Sequence, residues 1–333
     1  MFIKKELYKI KKKYWNKLSI LCYHRVEDLD ADPVNITVGN LKFLKQIDWL
    51  KNSTNIITPV DFKNILINRG EFPKRAILLT FDDGYSSYQN TMSILKDKSI
   101  PAIFFISNPK NQFYWDLLTN KLLLPENILD RDIEIFYEIL NSLNISITIE
   151  KSLNKDSLEI IKKWKSLSKL YPFERCRAFS YITNKLEIEN PFTHNSAFNK
   201  LNQINKESHE LTFLSSEPDL INYHTIGSHT SNHFNLNSLS KSHQKNEILE
   251  NKVKLEKDIK KKIEFFAYPY GSREHYNEHS VDLVKKYFKF SFSNFTGNVH
   301  KDSNIHELPR YLVRNWDINE FKTKIEGFIR GKK

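Results

Sequence analysis

At residues 76–84 the sequence reads AILLTFDDG, an apolar run that ends in two adjacent carboxylates and a glycine. A short apolar run bounded by turn residues predicts a buried strand of a parallel sheet. In α/β folds, catalytic groups collect at the carboxyl ends of such strands. Asp82 and Asp83 would repel each other there unless one of them binds a cation. Taken alone, an Asp-Asp-Gly turn is more typical of a solvated loop.

Six further apolar runs predict strands on either side of this one. The seven predicted strands are 19–23, 76–81, 102–107, 225–227, 265–268, 288–292 and 308–313. Segments with helical periodicity lie between several of them, at 41–51, 88–98, 241–262, 281–287 and 318–328. This alternation predicts an α/β protein with a parallel sheet or barrel, and we favour a barrel.

The alternation stops between about residues 108 and 222, where helical patterns dominate. We predict a helical insertion there, which divides the barrel into a first part, 18–107, and a second part, 223–333. A packing or oligomerisation subdomain and a lid over the substrate cleft both remain open for the insertion.

The composition describes a folded protein of one large or two smaller domains. Of the 333 residues, 40% are hydrophobic and 27% are charged. Two cysteines, Cys22 and Cys176, are too few for a disulfide scaffold and are compatible with a reducing compartment. The sequence has no apolar run long enough to span a bilayer and no secretory signal. We therefore expect a cytoplasmic protein.

More than half of the formal net charge of +11 lies in residues 1–17, where seven lysines face one acid, Glu6. Apolar residues recur on one helical face of this segment, namely Ile3, Leu7, Ile10 and Tyr14. The pattern predicts a basic amphipathic helix. Such a helix either contacts anionic lipids at the inner face of a membrane or packs on the domain. Nucleic acid is not an expected partner, because the remaining chain has no basic-aromatic patch.

Two histidines, His229 and His233, follow the predicted strand 225–227. On one helical turn, residues four apart can reach the same metal ion. Two histidines and one carboxylate leave a coordination position for water, as in catalytic zinc sites, and the same donors suit iron. Other histidines, namely His194, His209 and His224, lack such a partner and are interpreted as core or surface residues.

In a third segment, FFAYPYG at 265–271, a predicted apolar strand is followed by a Pro/Gly turn. Together the three segments resemble the motifs of the polysaccharide deacetylases, the NodB-homology or carbohydrate esterase family 4 enzymes. These motifs read TFDDG at 80–84, HTSNH at 229–233 and PYG at 269–271. The resemblance covers roughly 19–107 and 223–316. It implies a distorted (β/α) barrel and a hydrolase that removes N-acetyl groups from an amino sugar.

The resemblance also implies a role for each motif residue. Asp83, His229 and His233 would bind a divalent metal, with zinc expected first and iron, cobalt or nickel as alternatives. Asp82 would be the general base, and the backbone amide of Tyr270 would stabilise the oxyanion.

The general acid departs from the common family pattern, because no Leu-x-His motif is visible near residues 308–310. The segment LCYHRV at 21–26 resembles a branch in which a Tyr-His pair supplies the acid. We therefore predict His24 as the acid, with His275 and His306 as reserves.

A second departure lies at Ala267, where many members of the family carry an arginine that orients the base. We predict that Arg310 substitutes for it, with Arg25 as the alternative.

The segment FYWD at 113–116 and the ending LPRYLV at 308–313 resemble bacterial members linked to cell-surface polysaccharide biosynthesis. The expected substrate is an acetylated amino sugar in a nascent glycan or in a lipid-linked or nucleotide-linked precursor. Three alternatives remain open: an O-acetyl esterase, a catalytically silent carbohydrate-binding protein, and a membrane-recruited scaffold whose N-terminal helix is the working part.

Overall fold

A computed structural model of the chain describes residues 17–29, 32, 35–109, 113, 115–116 and 216–331. The chain divides into two compact units, one of residues 1–28, 36–108 and 210–333 and the other of residues 29–35 and 109–209. In the second unit, the rings of Phe113 and Trp115 stack with their centroids 4.6 Å apart. The predicted N-terminal helix and most of the predicted insertion lie outside the described residues, so both stay predictions.

The first unit is built on a parallel sheet. Its strands are β1 (Leu18–Tyr23), β4 (Asn55–Ile56), β5 (Ala76–Phe81), β6 (Ile103–Ile106), β7 (Thr225–Ser228), β8 (Phe265–Ala267), β9 (Phe290–Phe292) and β10 (Tyr311–Leu312). They lie in the order β10-β1-β5-β6-β7-β8-β9, with β4 also paired to β5. A separate parallel pair is formed by β2 (Arg25–Val26) and β3 (Thr37–Val38). The seven strands of the main path correspond to the seven predicted ones, and the α/β barrel is confirmed.

The last predicted strand, 308–313, is shorter in the structure. Only Tyr311 and Leu312 pair with β1, while Leu308 forms an isolated parallel bridge with Phe292 of β9. Pro309 separates the two because it has no N–H to donate to a ladder. The segment before β10 therefore links the two ends of the sheet path, and the sheet curls into a barrel.

Seven α-helices and one short 3-10 helix (Leu236–Ser238) are given bounds among the described residues. The α-helices are α1 (Asn40–Ser53), α2 (Pro59–Ile67), α3 (Tyr88–Asp97), α4 (Pro218–Tyr223), α5 (Lys241–Ile259), α6 (Glu278–Tyr287) and α7 (Ile318–Arg330). Five were predicted, whereas α2 and α4 were not. The predicted helix 241–262 ends early because Lys260 takes a left-handed conformation with φ 54°. None of the described helices is both long and apolar enough to cross a lipid bilayer.

Helix α2 begins at a standard N-cap, where the Thr58 hydroxyl accepts a hydrogen bond from the Asp61 amide (3.0 Å) and proline occupies the first helical position. The Phe62 side chain packs against aromatic rings at the start of β8 and β9, with centroids 6.3 Å from Phe265 and 5.5 Å from Phe290. Phe62 and Leu66 belong to the hydrophobic cluster that fills the barrel. The helix therefore closes the amino-terminal end of the barrel, and polar groups collect at the opposite end.

Candidate active site

The two neighbouring aspartates follow β5 directly. The Asp82 amide still continues the sheet by donating to the Tyr23 carbonyl (2.9 Å). The next two residues are left-handed, with φ 87° at Asp83 and φ 90° at Gly84. A side chain at Gly84 would lie 2.9 Å from the Ile106 side chain, so the tight turn requires glycine. The turn gives the two carboxylates different partners.

The histidine segment follows β7 as a loop, so the predicted helical turn is wrong. Thr230 and His233 are left-handed, with φ 65° and 57°. The loop is hydrogen-bonded to Glu247 on α5, whose carboxylate accepts from the Asn232 amide (2.8 Å) and from the Asn232 side chain (2.6 Å). These contacts with a distant helix replace the hydrogen bonds that a helical turn would make within itself.

The loop brings both imidazoles to Asp83. Asp83 Oδ1 lies 3.5 Å from His229 Nε2 and 3.3 Å from His233 Nε2, and all three residues are buried. His229 Nδ1 lies 2.8 Å from the Ala267 carbonyl oxygen. A carbonyl can only accept, so Nδ1 carries the proton and Nε2 of the neutral ring presents a lone pair to the carboxylate.

This arrangement fits a divalent metal. Two donor atoms each about 2.1 Å from a tetrahedral ion are about 3.4 Å apart, close to the observed separations. Asp83 Oδ1 is buried, and no donor among the described residues meets it with hydrogen-bond geometry. Burial alone would raise the pKa of Asp83, but positive charge on the facing rings of His24, His229 and His233 holds it well below its usual range. When those rings are neutral, a bound cation supplies that charge instead. A charged carboxylate and imidazole lone pairs converge favourably only around a cation, and this donor set suits zinc and related ions.

Asp82 has a different partner, Arg310. The guanidinium donates from both terminal nitrogens to the two carboxylate oxygens, at 2.7 and 2.6 Å, and both side chains are buried. Arg310 Nε donates to the Ser293 carbonyl (2.8 Å). Burial opposes ionisation of Asp82, but Arg310 holds its pKa below the usual value. Arg25, the alternative, lies over the Tyr85 ring at 3.9 Å. The structure therefore places Arg310, and not Arg25, on the carboxylate of Asp82, and the catalytic roles of both residues stay predictions.

His24 lies beside this pair, at the end of β1. Candidate ligand atoms of Cys22, His24 and Asp82 all lie within 4.8 Å of one another. Burial lowers the pKa of His24, and the nearby carboxylates of Asp83 and Asp82 offset only part of that effect. His24 Nδ1 is buried and has no hydrogen-bond partner among the described residues.

The two reserve histidines have other partners, and the His275 ring also packs against the Tyr270 ring with centroids 5.1 Å apart. The ring of His275 is hydrogen-bonded through Nδ1 to the Ser272 hydroxyl (2.5 Å). The main-chain carbonyl of His306 accepts hydrogen bonds from Tyr268 and Ser291. Within the described part of the chain, neither joins a cluster of candidate metal ligands. His24 is thus the predicted acid that the fold brings to the aspartates.

Tyr270 reaches the site through another tight turn. Tyr270 and Gly271 are both left-handed, with φ 58° and 71°. A side chain at Gly271 would lie 2.6 Å from the Asn294 amide nitrogen, so only glycine fits. The Tyr270 ring packs edge-on against the ring of His233, with centroids 4.6 Å apart. The turn therefore places the Tyr270 ring against His233, one of the predicted metal ligands.

Two supporting residues were missed in the sequence. Glu247 anchors the histidine loop, and Asn251 donates to the Ile106 carbonyl (2.7 Å) and to the Ser228 hydroxyl (2.9 Å). Both lie on the buried face of α5, among Ile248 and Leu255. Polar residues at core-facing positions of an otherwise amphipathic helix were the signal that could have revealed them.

Comparison with known proteins supports the resemblance. Residues 69–122 and 221–288 match the sequence model of the family described as polysaccharide deacetylase. The chain is 30% identical over 191 residues to the poly-beta-1,6-N-acetyl-D-glucosamine N-deacetylase of Staphylococcus epidermidis. The matched region spans 50% of this chain and 65% of that protein. The Staphylococcus aureus protein of the same name is 38% identical over 74 residues, 22% of this chain and 25% of that protein. The predicted resemblance to polysaccharide deacetylases is confirmed.

Solved structures agree on the fold. The Streptococcus pyogenes deacetylase PplD, determined in complex with acetate, superposes with a TM-score of 0.53 at 16% identity over 93% of this chain and 98% of that one. A polysaccharide deacetylase from Bacillus cereus gives a TM-score of 0.53 at 15% identity, over 93% of this chain and 69% of that one. These similarities support the barrel read from the sequence.

Proposed function

We propose that this protein is a metal-dependent polysaccharide N-deacetylase that hydrolyses the N-acetyl groups of an amino sugar. One observation carries the proposal. A carboxylate held by two hydrogen bonds from Arg310 lies next to a second carboxylate that faces two imidazole nitrogens at 3.3 and 3.5 Å. This arrangement supports a base role for Asp82 and a metal-binding role for Asp83.

Asp83, His229 and His233 would hold the metal, which when bound polarises a carbonyl and acidifies water. Asp82 takes the proton of the attacking water. Its two hydrogen bonds to Arg310 keep the carboxylate ionised and fix its orientation. The backbone amide of Tyr270 donates to the oxygen on which negative charge develops.

Breaking the amide requires a proton on the leaving nitrogen, because an amide anion is too unstable to be expelled at neutral pH. His24 supplies that proton, and its ring lies within 4.8 Å of the Asp82 carboxylate. The oxygen of water becomes part of acetate, the C–N bond breaks, and the sugar keeps a free amine.

The substrate we propose is a polymer of β-1,6-linked N-acetylglucosamine. The support is the name of the Staphylococcus epidermidis relative, of which the matched region spans 65%. A lipid-linked or nucleotide-linked amino sugar is the alternative substrate, and zinc is the metal we expect first.

The test is acetate release from β-1,6-linked N-acetylglucosamine oligomers by metal-loaded protein. We expect acetate and free amine in equal amounts, and no release by the Asp82→Asn variant above about 1% of the original rate. Acetate from O-acetylated but not from N-acetylated sugars would identify an esterase. Binding of the oligomers without release of acetate would identify a catalytically silent carbohydrate-binding protein.

A further inference from the structure

The amino-terminal end of the barrel carries an exposed apolar pair that the proposed chemistry does not use. Among the described residues, few large hydrophobic side chains are exposed, and two of them lie on α2: Val60 is 64% exposed and Ile67 is 57% exposed. Seven residues apart, they lie on the same face of the helix. We call this face of α2, together with the basic residues at the same end of the barrel that are named in the next paragraphs, the basal surface.

The orientation of α2 follows from its opposite face. Phe62 and Leu66 are buried in the barrel cluster. Lys63 forms an ion pair with Glu264, which directly precedes β8. The helix is therefore fixed across the amino ends of the strands, and Val60 and Ile67 face away from the barrel.

Basic residues also lie at this end of the barrel. The helices that precede a strand of the sheet run opposite to it, so their carboxyl ends lie at the basal end. Several end in basic residues, namely Lys51, Lys96, Lys257, Lys285 and Lys286. Cations there are also expected simply because they stabilise the helix dipole.

The connections that lead into the strands hold more basic than acidic residues. The helix dipole does not explain this excess, because these residues lie outside the helices. The connections 68–75, 260–264 and 288–289, which enter β5, β8 and β9, hold seven basic residues and two acidic ones. One of the acids, Glu264, is paired with both Lys63 and Lys289. Lys260, Lys261, Lys262 and Lys289 are all exposed.

Both ends of the described chain also meet at the basal end. Lys17 precedes β1, and its Nζ lies 2.9 Å from the position that a side chain on Gly331 would take. The sequence before Lys17 holds six further lysines and one acid, and the sequence after Gly331 is Lys332-Lys333. The chain thus continues into basic sequence from this end in both directions.

We propose that the basal surface docks on an anionic lipid bilayer. Val60 and Ile67 enter the interfacial region, and the lysines meet the lipid headgroups. A soluble polyanion would be bound by the lysines alone and would have no use for two exposed aliphatic side chains. The bilayer therefore accounts for both features, and the carboxyl ends of the strands face away from it. This inference does not depend on the deacetylase proposal.

The test is sedimentation of the full chain with vesicles of phosphatidylcholine alone or mixed with phosphatidylglycerol. We expect binding only to the anionic vesicles, weakening as salt increases. The double variant Val60→Asp/Ile67→Asp should bind at least tenfold more weakly. Leu41→Asp is the matched control, because Leu41 is 72% exposed at the start of α1 and lies at the other end of the barrel.

The proposal would be overturned by binding of Val60→Asp/Ile67→Asp equal to that of the unchanged protein, by an equal loss in Leu41→Asp, or by no binding to anionic vesicles at all. The milder Val60→Ser/Ile67→Ser variant should weaken binding several-fold. If it binds fully while polyphosphate displaces the protein from vesicles, the lysines alone act and the partner is a soluble polyanion. Unchanged thermal melting of each variant shows that the fold is intact.

Discussion

The two ends of the barrel are built from different kinds of side chain, polar and titratable at one end and apolar at the other. At the carboxyl ends of the strands, buried charged and titratable groups meet, and four non-glycine residues of the three motifs are left-handed: Asp83, Thr230, His233 and Tyr270. At the amino ends, α2 closes the barrel with Phe62 against the aromatic rings of Phe265, Phe290 and Phe292. The same parallel sheet holds both.

Because of this difference, residues that stabilise the fold and residues proposed to act in catalysis lie at different ends of the barrel. Left-handed non-glycine residues cost on the order of 1–3 kcal/mol each, and buried charges are costly unless they are paired. Fully buried aromatic and aliphatic side chains contribute about 1.5–3 kcal/mol each. The apolar end therefore offsets the strain and desolvation of the polar end. Substitutions at the carboxyl ends should change activity most, and those at the amino ends should change stability most.

The largest expected effect is on activity at the carboxyl ends. Asp82→Asn keeps the shape of the proposed base but removes its ability to accept a proton. Acetate release should fall about 10²–10⁴-fold while metal content stays unchanged. The measurement is the rate of acetate release together with metal analysis of the purified variant.

Phe62→Ala is the control at the amino ends. It should lower the free energy of unfolding by about 3–5 kcal/mol and leave the rate per folded molecule within about twofold. A rate loss in Phe62→Ala as large as that in Asp82→Asn would break the division between the two ends.

The buried ion pair is the one place at the carboxyl ends where stability should also change strongly. Arg310→Met leaves Asp82 buried without its cation and should lower the free energy of unfolding by about 3–5 kcal/mol, measured by urea denaturation. Asp82→Asn/Arg310→Met removes both charges and should recover part of that loss. A double variant no more stable than Arg310→Met would show that the pairing itself contributes little.

The pH dependence of stability should come partly from His224, at the amino end of β7. Its Nδ1 accepts from the Ala102 amide (3.2 Å), and its Nε2 donates to the Met92 carbonyl (2.9 Å). Burial lowers the pKa of His224 to about 4, below that of an unfolded histidine near 6.5. The unfolded chain therefore binds the proton first, and stability should fall by up to about 3 kcal/mol between pH 6.5 and 4.

Urea denaturation at several pH values measures this slope. His224→Gln should flatten it, because the proton uptake of the unfolded chain is then removed. A slope in His224→Gln as steep as in the unchanged protein would assign the pH dependence to other groups.

The smallest expected effect is at Glu247, which holds the histidine loop through Asn232 and is not itself one of the proposed metal ligands. Glu247→Gln loses one of two hydrogen bonds to Asn232 and should weaken metal binding about 10–100-fold, a loss that added metal restores. Glu250→Gln, an exposed position on the same helix, is the matched control and should bind metal normally. Equal affinities in the two variants would mean that the loop needs no anchor.

The strands were predictable from the sequence because each is a short apolar run between turn residues, and the aspartates and histidines follow such runs directly. Helix α2 was missed because it is short and apolar on both faces, with Phe62 buried and Val60 exposed, so no helical period is visible. Asn232 meets Glu247 through the fold and not through local spacing. For that reason the histidine segment was wrongly predicted as a helical turn.

Arg310 could be predicted from the sequence as a candidate partner of Asp82, but its contact with Asp82 could not. The absence of an arginine at Ala267 indicated that another cation should face Asp82, and Arg310 was the first choice. Its contact joins residues 228 positions apart in the sequence, so only the fold could show the two hydrogen bonds to the carboxylate. Its part in catalysis stays a prediction.

If the proposed function is right, acetate release depends on one metal held by Asp83, His229 and His233. The most direct measurement is to titrate chelator-treated protein with zinc while following bound metal and acetate release together. We predict that both rise in parallel and level off at one equivalent, and that the Asp83→Ala variant shows neither. Full acetate release by metal-free protein, or by Asp83→Ala at the original rate, would show that the reaction does not depend on this metal.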